Sequence, residues 1–152
     1  MQEFHEGVGL LISNSNRSRF YIQLKDATYP IPKWRGACSF WGGAVESEDK
    51  NEEAAVWREL REEIPQALNI ITTILPINRY LVTTERISFG LSVFEACIDN
   101  SQLDKLSKGP VHEGIGCLIS QKDLLNHKWI FDMGFIFKSY LDELKKNNKK
   151  LY

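Results

Sequence analysis

The sequence predicts an α+β fold, an α/β/α sandwich in which helices flank a mixed β-sheet. Apolar, β-branched runs outnumber the helical segments, and the connections between these runs are too short for regular β-α-β alternation. A doubly wound dinucleotide-binding fold is disfavoured, because no G-x-G-x-x-G follows the first predicted strand and no G-x-x-x-x-G-K-[ST] occurs anywhere.

The order of the elements follows from the local patterns. The helix in the middle of the chain is indicated by Val56, Leu60 and Ile64, which recur every four residues and precede Pro65, a residue that ends helices. The full prediction is strands at 6–13 and 19–26, a loop at 27–37, a strand at 38–45, a helix at 51–64, strands at 69–84 and 86–98, a short helix or turn at 101–109, a strand at 114–120, a helical turn at 121–127 and a closing helix at 129–144.

The composition is that of one globular domain spanning residues 1–152. Hydrophobic residues make up 43% of the chain and charged residues 26%, so a disordered or fibrous chain is excluded. The segment "KKNNKK" at 145–150 predicts that residues 145–152 form a frayed, solvated basic tail, with a basic docking tag as the alternative.

Charge and cysteine usage bound the partners and the compartment. A formal net charge of -1 argues against a surface that coats nucleic acid, so no nucleic-acid partner is expected. No signal-peptide pattern and no run of ~18 apolar residues is present, so we expect no membrane association. The three widely spaced cysteines match no zinc or redox motif, which indicates reduced thiols in a cytoplasmic protein.

Three carboxylates gather on one side of the predicted helix at 51–64. Each helical residue advances about 100°, so Glu59, Glu62 and Glu63 fall in one sector beside the apolar stripe. Like charges at this spacing repel, whereas converging hard oxygen atoms are what magnesium or calcium needs. A solvated surface helix in which Arg58 pairs with Glu62 explains the same residues, and the helix alone does not separate the two interpretations.

The adjacent glycines Gly42 and Gly43 favour the metal-site interpretation. They follow a predicted strand and precede the acidic helix by a short loop. A glycine pair lets the backbone bend and approach a ligand closely, whereas one glycine usually suffices for an ordinary turn.

These residues together resemble the signature of the Nudix hydrolases, G-x5-E-x7-R-E-U-x-E-E-x-G-U, where U is a bulky aliphatic residue. Gly43 and the run from Arg58 to Glu63 match it in order and register, and "GGAVE" at 42–46 resembles the usual opening of the motif. The segments "QLKD" and "IPKWRGACSFWGGAVE" resemble one subgroup of the family. The resemblance extends from about residue 7 to residue 141.

The sequence departs from the signature in two places. The interval from Gly43 to Arg58 is one residue longer than in the family, so the middle acid is Asp49 or Glu48. Pro65 and Gln66 stand where the family has glycine and an aliphatic residue. Either proline or glycine can end a helix, so the acidic cluster itself is unaffected.

The resemblance implies a Nudix fold and a hydrolase acting on acid anhydrides, with Mg²⁺ as cofactor and Mn²⁺ as an alternative. The expected substrate is a small molecule in which a nucleoside diphosphate is linked to another group, as in nucleotide sugars, ADP-ribose-like compounds or nucleoside triphosphates. Homodimers occur in the family and are compatible with this chain. By residue, the resemblance implies metal binding by Glu59, Glu62, Glu63 and Gly43, and supporting roles for Gly42, Glu46, Asp49 and Arg58.

The general base and the substrate contacts stay open. Glu62, Glu63 and Glu113 are candidate bases, since a carboxylate close to the attacking water is suited to that role. Trp34 and Phe40 are the candidate substrate contacts, and strand alternation predicts that one of Phe40 and Trp41 is buried. The alternatives to an enzyme are a Nudix-fold nucleotide-binding module with weak or lost hydrolysis, and an interaction protein that uses the acidic helix as a charged face.

Overall fold

The computed structural model describes residues 4–150 and shows a mixed β-sheet between two layers of helices. The predicted α/β/α sandwich is therefore confirmed. The strands and helices of this part of the chain are β1 (Phe4–Asn14), β2 (Arg19–Leu24), β3 (Cys38–Ser39), β4 (Trp41–Ala44), α1 (Glu52–Glu63), β5 (Leu75–Thr83), β6 (Ser88–Ile98), α2 (Asn100–Ser107), β7 (Ile115–Ser120), α3 (Gln121–Asn126) and α4 (Gly134–Lys150).

β1 is the centre of the sheet. On one side it pairs in parallel with β6 along its whole length, and β5 then pairs antiparallel with β6. On its other side β1 pairs first with β4, from Gly7 opposite Ala44 to Leu10 opposite Trp41, and then with β2. β2 in turn pairs with β3 and β7. The short strands β3 and β4 are thus inserted between β1 and β2, which brings the glycine pair into the middle of the sheet.

Each face of the sheet carries its own hydrophobic core. Strand alternation sends Leu10 of β1 into the core under α1 and α2, and it sends Leu11 into the core under α3 and α4. Phe40 and Trp41 divide between the two cores in the same way and are 4% and 0% exposed. The expectation that only one of these two aromatics is buried is wrong, because helices cover both faces of the sheet.

Two elements begin at least five residues later than predicted. β5 begins at Leu75 rather than residue 69, because a 3-10 turn (Pro65–Asn69) follows α1 and the next isoleucines fill the first core from a loop. The last helix begins at Gly134 rather than residue 129, because a 3-10 turn (Ile130–Asp132) with positive φ at Phe131 and Asp132 precedes it.

The last helix extends into the basic C-terminal segment. The backbone at 145–150, predicted to fray, continues α4 to Lys150, whereas residues 151–152 lie outside the described part of the chain. None of the helices between residues 4 and 150 combines the length and apolar character that crossing a membrane requires.

Candidate active site

The two glycines of β4 are required for different reasons. Gly42 has a φ of 148°, and a Cβ built on it would lie 2.1 Å from the carbonyl oxygen of Val8. A Cβ on Gly43 would lie 2.6 Å from Oε1 of Glu59. Gly42 therefore allows the backbone of β4 to pass against β1, while Gly43 leaves room for a carboxylate of the acidic helix.

α1 presents its carboxylates to this strand. The helix begins after Asn51, whose side chain accepts a hydrogen bond from the Ala54 amide at 2.8 Å. Its rotation is fixed by apolar side chains, among them Val56 and Leu60, that are buried in the first core. Glu63, only 2% exposed, faces β4 and accepts a hydrogen bond from the Gly42 amide at 2.9 Å.

Gln23 on β2 joins the site and was missed by the sequence interpretation. Its Nε2 donates to Glu63 at 3.0 Å and to the carbonyl oxygen of Glu113 at 2.9 Å. Its Oε1 accepts a hydrogen bond from Lys25 at 2.9 Å. The signal in the sequence was a polar residue at an inward position of a strand, since Gln23 follows Tyr21 on the buried face.

Glu113 is placed beside the helix by the loop before β7. The amide of His112 donates to the carbonyl oxygen of Glu63 at 2.8 Å, and Gln23 holds the Glu113 carbonyl. The Glu113 carboxylate is close enough to both Glu59 and Glu63 to influence their pKa values. The structure thus groups Glu59, Glu63 and Glu113, whereas the side chain of Glu62 is 57% exposed and turned toward Arg58.

The grouped carboxylates repel one another. Burial, followed by the charges of Glu59 and Glu113, raises the pKa of Glu63 to about 8. Burial also raises the pKa of Glu59, although the neighbouring Arg58 opposes this shift. An excess of negative charge in a half-buried position is an environment that a cation would stabilise.

Arg58 braces the loop between β4 and α1. Its guanidinium forms two hydrogen bonds to the carboxylate of Asp49, both at 2.9 Å, and it donates to the carbonyl oxygen of Ala44 at 2.9 Å. It also contacts Glu59 at 3.0 Å and lies 3.5 Å from Glu46. The hydrogen bonds from Arg58 and the backbone amide of Glu46 lower the pKa of Asp49.

The extra residue of the loop is accommodated in a turn. The amide of Asp49 donates to the carbonyl oxygen of Glu46 at 3.0 Å, which closes the turn and directs the Asp49 carboxylate at Arg58. In the described residues, Glu48 makes no such contact with Arg58. Of the two candidates for the middle acid, Asp49 is therefore the one that the structure places against the arginine.

The oxygen atoms of the clustered carboxylates are the type of ligand that a hard divalent cation prefers. In residues 4–150 no three carboxylate, histidine or cysteine side chains are already arranged as a ligand group. However, the carboxylates of Glu59 and Glu63 are hard oxygen donors, and the missing Cβ of Gly43 leaves space beside Glu59. This is a fit of residue types and charge. The other predicted oxygen donors are the Gly43 carbonyl and Glu62, whose side chain is exposed and turned toward Arg58.

One cavity adjoins the glycine pair, and a second cavity lies next to the first. The first, of about 280 Å³, touches Gly42 and Gly43 and is lined mainly by aromatic and aliphatic side chains, including Tyr29, Phe40 and Phe89. The second, of about 780 Å³, lies beyond Ile87 and Phe131, which line both cavities.

The two predicted substrate contacts lie on different cavities. Phe40 lines the first although it is buried and packs on Trp129 at a centroid distance of 4.9 Å. Trp34 lines the second but is 7% exposed, with the ammonium groups of Lys33 and Lys128 at 4.7 and 5.3 Å from the centre of its ring. The two lysine side chains thus already cover the ring of Trp34.

The comparisons with solved structures identify the fold. The chain is similar to the MutT protein of Methanosarcina mazei Go1, with a TM-score of 0.69 and 17% identity over 95% of this chain and 97% of that one. A mutT/nudix family protein from Listeria innocua gives a TM-score of 0.68 and 17% identity, covering 97% of both chains. The predicted Nudix fold is therefore confirmed.

A third similar structure is that of a longer protein. NrtR from Shewanella oneidensis gives a TM-score of 0.70 at 13% identity, and the match covers 93% of this chain but 64% of that one. A second NrtR structure is a complex with a 27mer DNA. No family model and no curated protein matches the chain in sequence. At these identities the similarity concerns the fold alone.

Proposed function

We propose that the protein is a divalent-metal-dependent hydrolase that cleaves the phosphoanhydride bond of a nucleoside diphosphate linked to another group. The observation that carries the proposal is the arrangement of the glycine pair against α1. Gly43 makes room for the carboxylate of Glu59, and Gly42 donates its amide to Glu63. A glycine-lined cluster of repelling carboxylates beside a cavity is what a cation-assisted reaction on a phosphate substrate requires.

Each residue of the cluster has a proposed role. Glu59 and Glu63, with Glu62 and the Gly43 carbonyl, would hold the cation, and Arg58 would keep Glu59 and the loop in place. Magnesium, or manganese as the alternative, would neutralise the phosphate oxygens and lower the pKa of the attacking water when bound. Gln23 would orient Glu63 by the hydrogen bond that it already makes to that carboxylate.

Glu113 is the general base that the geometry favours. Both oxygens of Glu63 already accept hydrogen bonds, from Gly42 and Gln23, and Glu62 lies on the exposed side near Arg58. Glu113 lies beside the cluster, and its backbone rather than its carboxylate is held by Gln23. Its side chain is thus available to accept a proton from water.

The first cavity is the proposed site of the nucleoside. It adjoins the glycine pair, so a base between the aromatic side chains would place its diphosphate next to the carboxylates. Lys25, which lines this cavity and donates a hydrogen bond to Gln23, supplies a cation beside it.

The proposal is tested by replacing Glu63 with glutamine. We expect Glu63→Gln to lower magnesium-dependent turnover by at least about 100-fold, since catalytic electrostatics of this kind contribute roughly that much or more. The matched control is Glu53→Gln, an exposed acid in the first turn of the same helix. The substrate screen, with and without metal, would include nucleoside triphosphates, nucleotide sugars, ADP-ribose and dinucleoside polyphosphates. A folded protein that is inactive on all of them would refute the proposal that it is a hydrolase.

A second candidate is a nucleotide-binding module with weak or lost hydrolysis. The hydrogen bonds to both oxygens of Glu63 favour it, because they occupy one lone pair on each oxygen and leave the carboxylate fewer lone pairs for a cation. Under this alternative, calorimetry would detect nucleotide binding in a protein with no metal-dependent turnover, and Glu63→Gln would leave the affinity unchanged.

A further inference from the structure

β5 is an open edge of the sheet. It pairs antiparallel with β6, and within residues 4–150 no strand pairs with its other side. An edge strand presents a row of backbone N–H and C=O groups to which a further strand can bind. β5 runs for nine residues, from Leu75 to Thr83, which is longer than most strands. The sheet therefore has an extended surface that another strand can join.

The features that usually protect an edge strand from pairing are confined to the first half of β5. Pro76 has no N–H group, and a β-bulge at Ile77 shifts the register with β6. The segment 78–83 then runs regularly opposite β6 and consists mainly of residues that favour strands. Its one charged residue, Arg79, forms an ion pair with Glu6 of the same chain. The second half of β5 is thus the part that can accept another strand.

Apolar side chains are exposed beside this segment on both faces of the sheet. Leu81 is 58% exposed and lies opposite Gly90, on the face of the first core. On the other face, Phe135 of α4 is 49% exposed and packs edge-on against Tyr80 at a centroid distance of 6.4 Å. Exposed apolar side chains that border an unpaired edge are typical of a surface that associates with another chain.

The two ends of β5 are complementary to each other on the α4 face. Leu75 is 55% exposed at one end and lies on this face, opposite Glu95, which contacts α4. At the other end the second cavity, of about 780 Å³, is lined by Thr84 and Phe135. A two-fold axis perpendicular to the sheet reverses the direction of the strand and keeps each face on its own side. Such an axis therefore brings Leu75 of each copy toward the second cavity of the other.

The charges of this surface allow an identical chain to approach. The second cavity is lined by two cationic and two anionic side chains, Lys33, Arg86, Glu85 and Asp132. The whole chain has a formal net charge of -1. Strong repulsion between identical molecules needs a large net charge, which is absent here. A second copy thus matches the edge in backbone pairing, in shape and in charge.

We propose that two copies of the chain form a dimer by antiparallel pairing of their β5 edges about a two-fold axis at Tyr80. Pairing about Arg79 would set two like charges directly opposite each other, which is destabilising. Pairing about Tyr80 sets Arg79 opposite the partner's Leu81 and, because the bulge removes one position from the register, Leu75 opposite the partner's Thr84. The interface is independent of the proposed function, since none of the glycines and carboxylates of the candidate active site line the second cavity.

The test introduces opposite charges at Leu81. Leu81→Lys places a cation opposite the partner's Arg79, whereas Leu81→Glu places an anion there, and both variants remove the same leucine. Analytical ultracentrifugation over a range of protein concentrations measures the monomer–dimer dissociation constant. We expect this constant to be at least about fivefold higher for Leu81→Lys than for Leu81→Glu, because each dimer contains the contact twice. Leu125→Lys, at a leucine of α3 that is 45% exposed, is the control that should dimerise like wild type.

Hydrogen exchange then locates the interface. The amides of residues 78–83 should exchange more slowly as the wild-type concentration rises through the dissociation constant, and Leu81→Lys should not show this dependence at the same concentrations. A wild-type protein that stays monomeric up to about 1 mM would overturn the inference and leave the edge to a different partner. Equal dissociation constants for the two charged variants, or open-ended assemblies in place of dimers, would overturn it as well.

Discussion

The two adjacent glycines act through different atoms, and this distinction governs what each substitution should do. At Gly42 the obstacle to a side chain is the backbone of β1, which cannot move without disturbing the sheet. At Gly43 the obstacle is the end of a flexible glutamate side chain. Gly42 is therefore required for the packing of β4 against β1, and Gly43 is required for the position of the Glu59 carboxylate.

We expect Gly42→Ala to destabilise the protein by more than about 2 kcal/mol, because a strained backbone alone costs roughly 1–3 kcal/mol and the clash with Val8 adds to it. Gly43→Ala should change the free energy of unfolding by less than about 1 kcal/mol, since Glu59 can rotate away, yet it should abolish most turnover. Denaturant unfolding and a metal-dependent activity assay measure the two effects. Equal loss of stability in both variants would contradict this separation of roles.

The Asp49 carboxylate predicts a pH-dependent contribution to stability. Arg58 and the Glu46 amide lower its pKa in the folded protein, so its contribution is present above the unfolded pKa of about 3.9 and is lost as the pH falls through the folded value. Asp49→Asn should thus be less stable than wild type at pH 7, and the difference should shrink on acidification below about pH 4. Unfolding curves across this range measure it.

Glu48→Gln is the control for this comparison. Glu48 is exposed in the same loop, so its neutral variant should follow the wild-type curve at every pH. If Glu48→Gln instead reproduced the loss seen for Asp49→Asn, the middle acid would have been assigned to the wrong residue.

At the scale of elements, α4 is fixed to the sheet by a buried polar contact. The hydroxyl of Tyr140 donates to Glu95 on β6, which is 6% exposed. Arg17, from the turn between β1 and β2, donates to the same carboxylate at 2.9 Å and to the Tyr140 hydroxyl at 3.0 Å. The contact joins a helix, a strand and a turn that are far apart in the sequence.

Tyr140→Phe should destabilise the protein by about 1–3 kcal/mol, because it deprives a buried carboxylate of a hydrogen bond. Tyr21→Phe is a matched control. Its hydroxyl is also buried, but among the described residues it has no hydrogen-bond partner, so its removal should be neutral or stabilising. Thermal unfolding of both variants tests this, and the same loss in each would show that ring packing rather than the hydroxyl fixes α4.

At the scale of the whole molecule, local sequence patterns predicted individual helices and strands, but they did not predict which strands pair. The helix predicted at 51–64 is α1, because its apolar period and its terminating Pro65 are local signals. The parallel pairing of β1 with β6 joins residues that are more than eighty positions apart, and no local pattern encodes it. The burial of both Phe40 and Trp41 follows from that topology rather than from either strand.

The same limit applies to the site. The acids of α1 and the glycines could be recognised because their spacing along the chain matches the signature, apart from one extra residue in the loop. Gln23 and Glu113 reach the cluster only through the pairing of β2 with β7, which sets Gln23 opposite Gly116 and close to the Glu113 carbonyl. Glu113 was predicted as a candidate base, whereas the contribution of Gln23 was not predicted, since it depends on strand register.

The carboxylate cluster also predicts how the whole molecule responds to metal. Glu63 is buried next to Glu59 and Glu113, so in metal-free buffer the folded state disfavours its ionised form and raises its pKa. Magnesium that binds the folded state alone should stabilise it by mass action, raising the Tm as its concentration passes the dissociation constant. Glu63→Gln should be as stable as wild type or more stable in EDTA, because glutamine has no ionised form for the folded state to disfavour, and its Tm should no longer respond to magnesium. Thermal unfolding with a titration of magnesium measures both effects, with Glu53→Gln as the variant that should still respond. A wild-type Tm that is unchanged at millimolar magnesium would mean that these carboxylates are not a metal site, and the repulsion among them would then need another explanation.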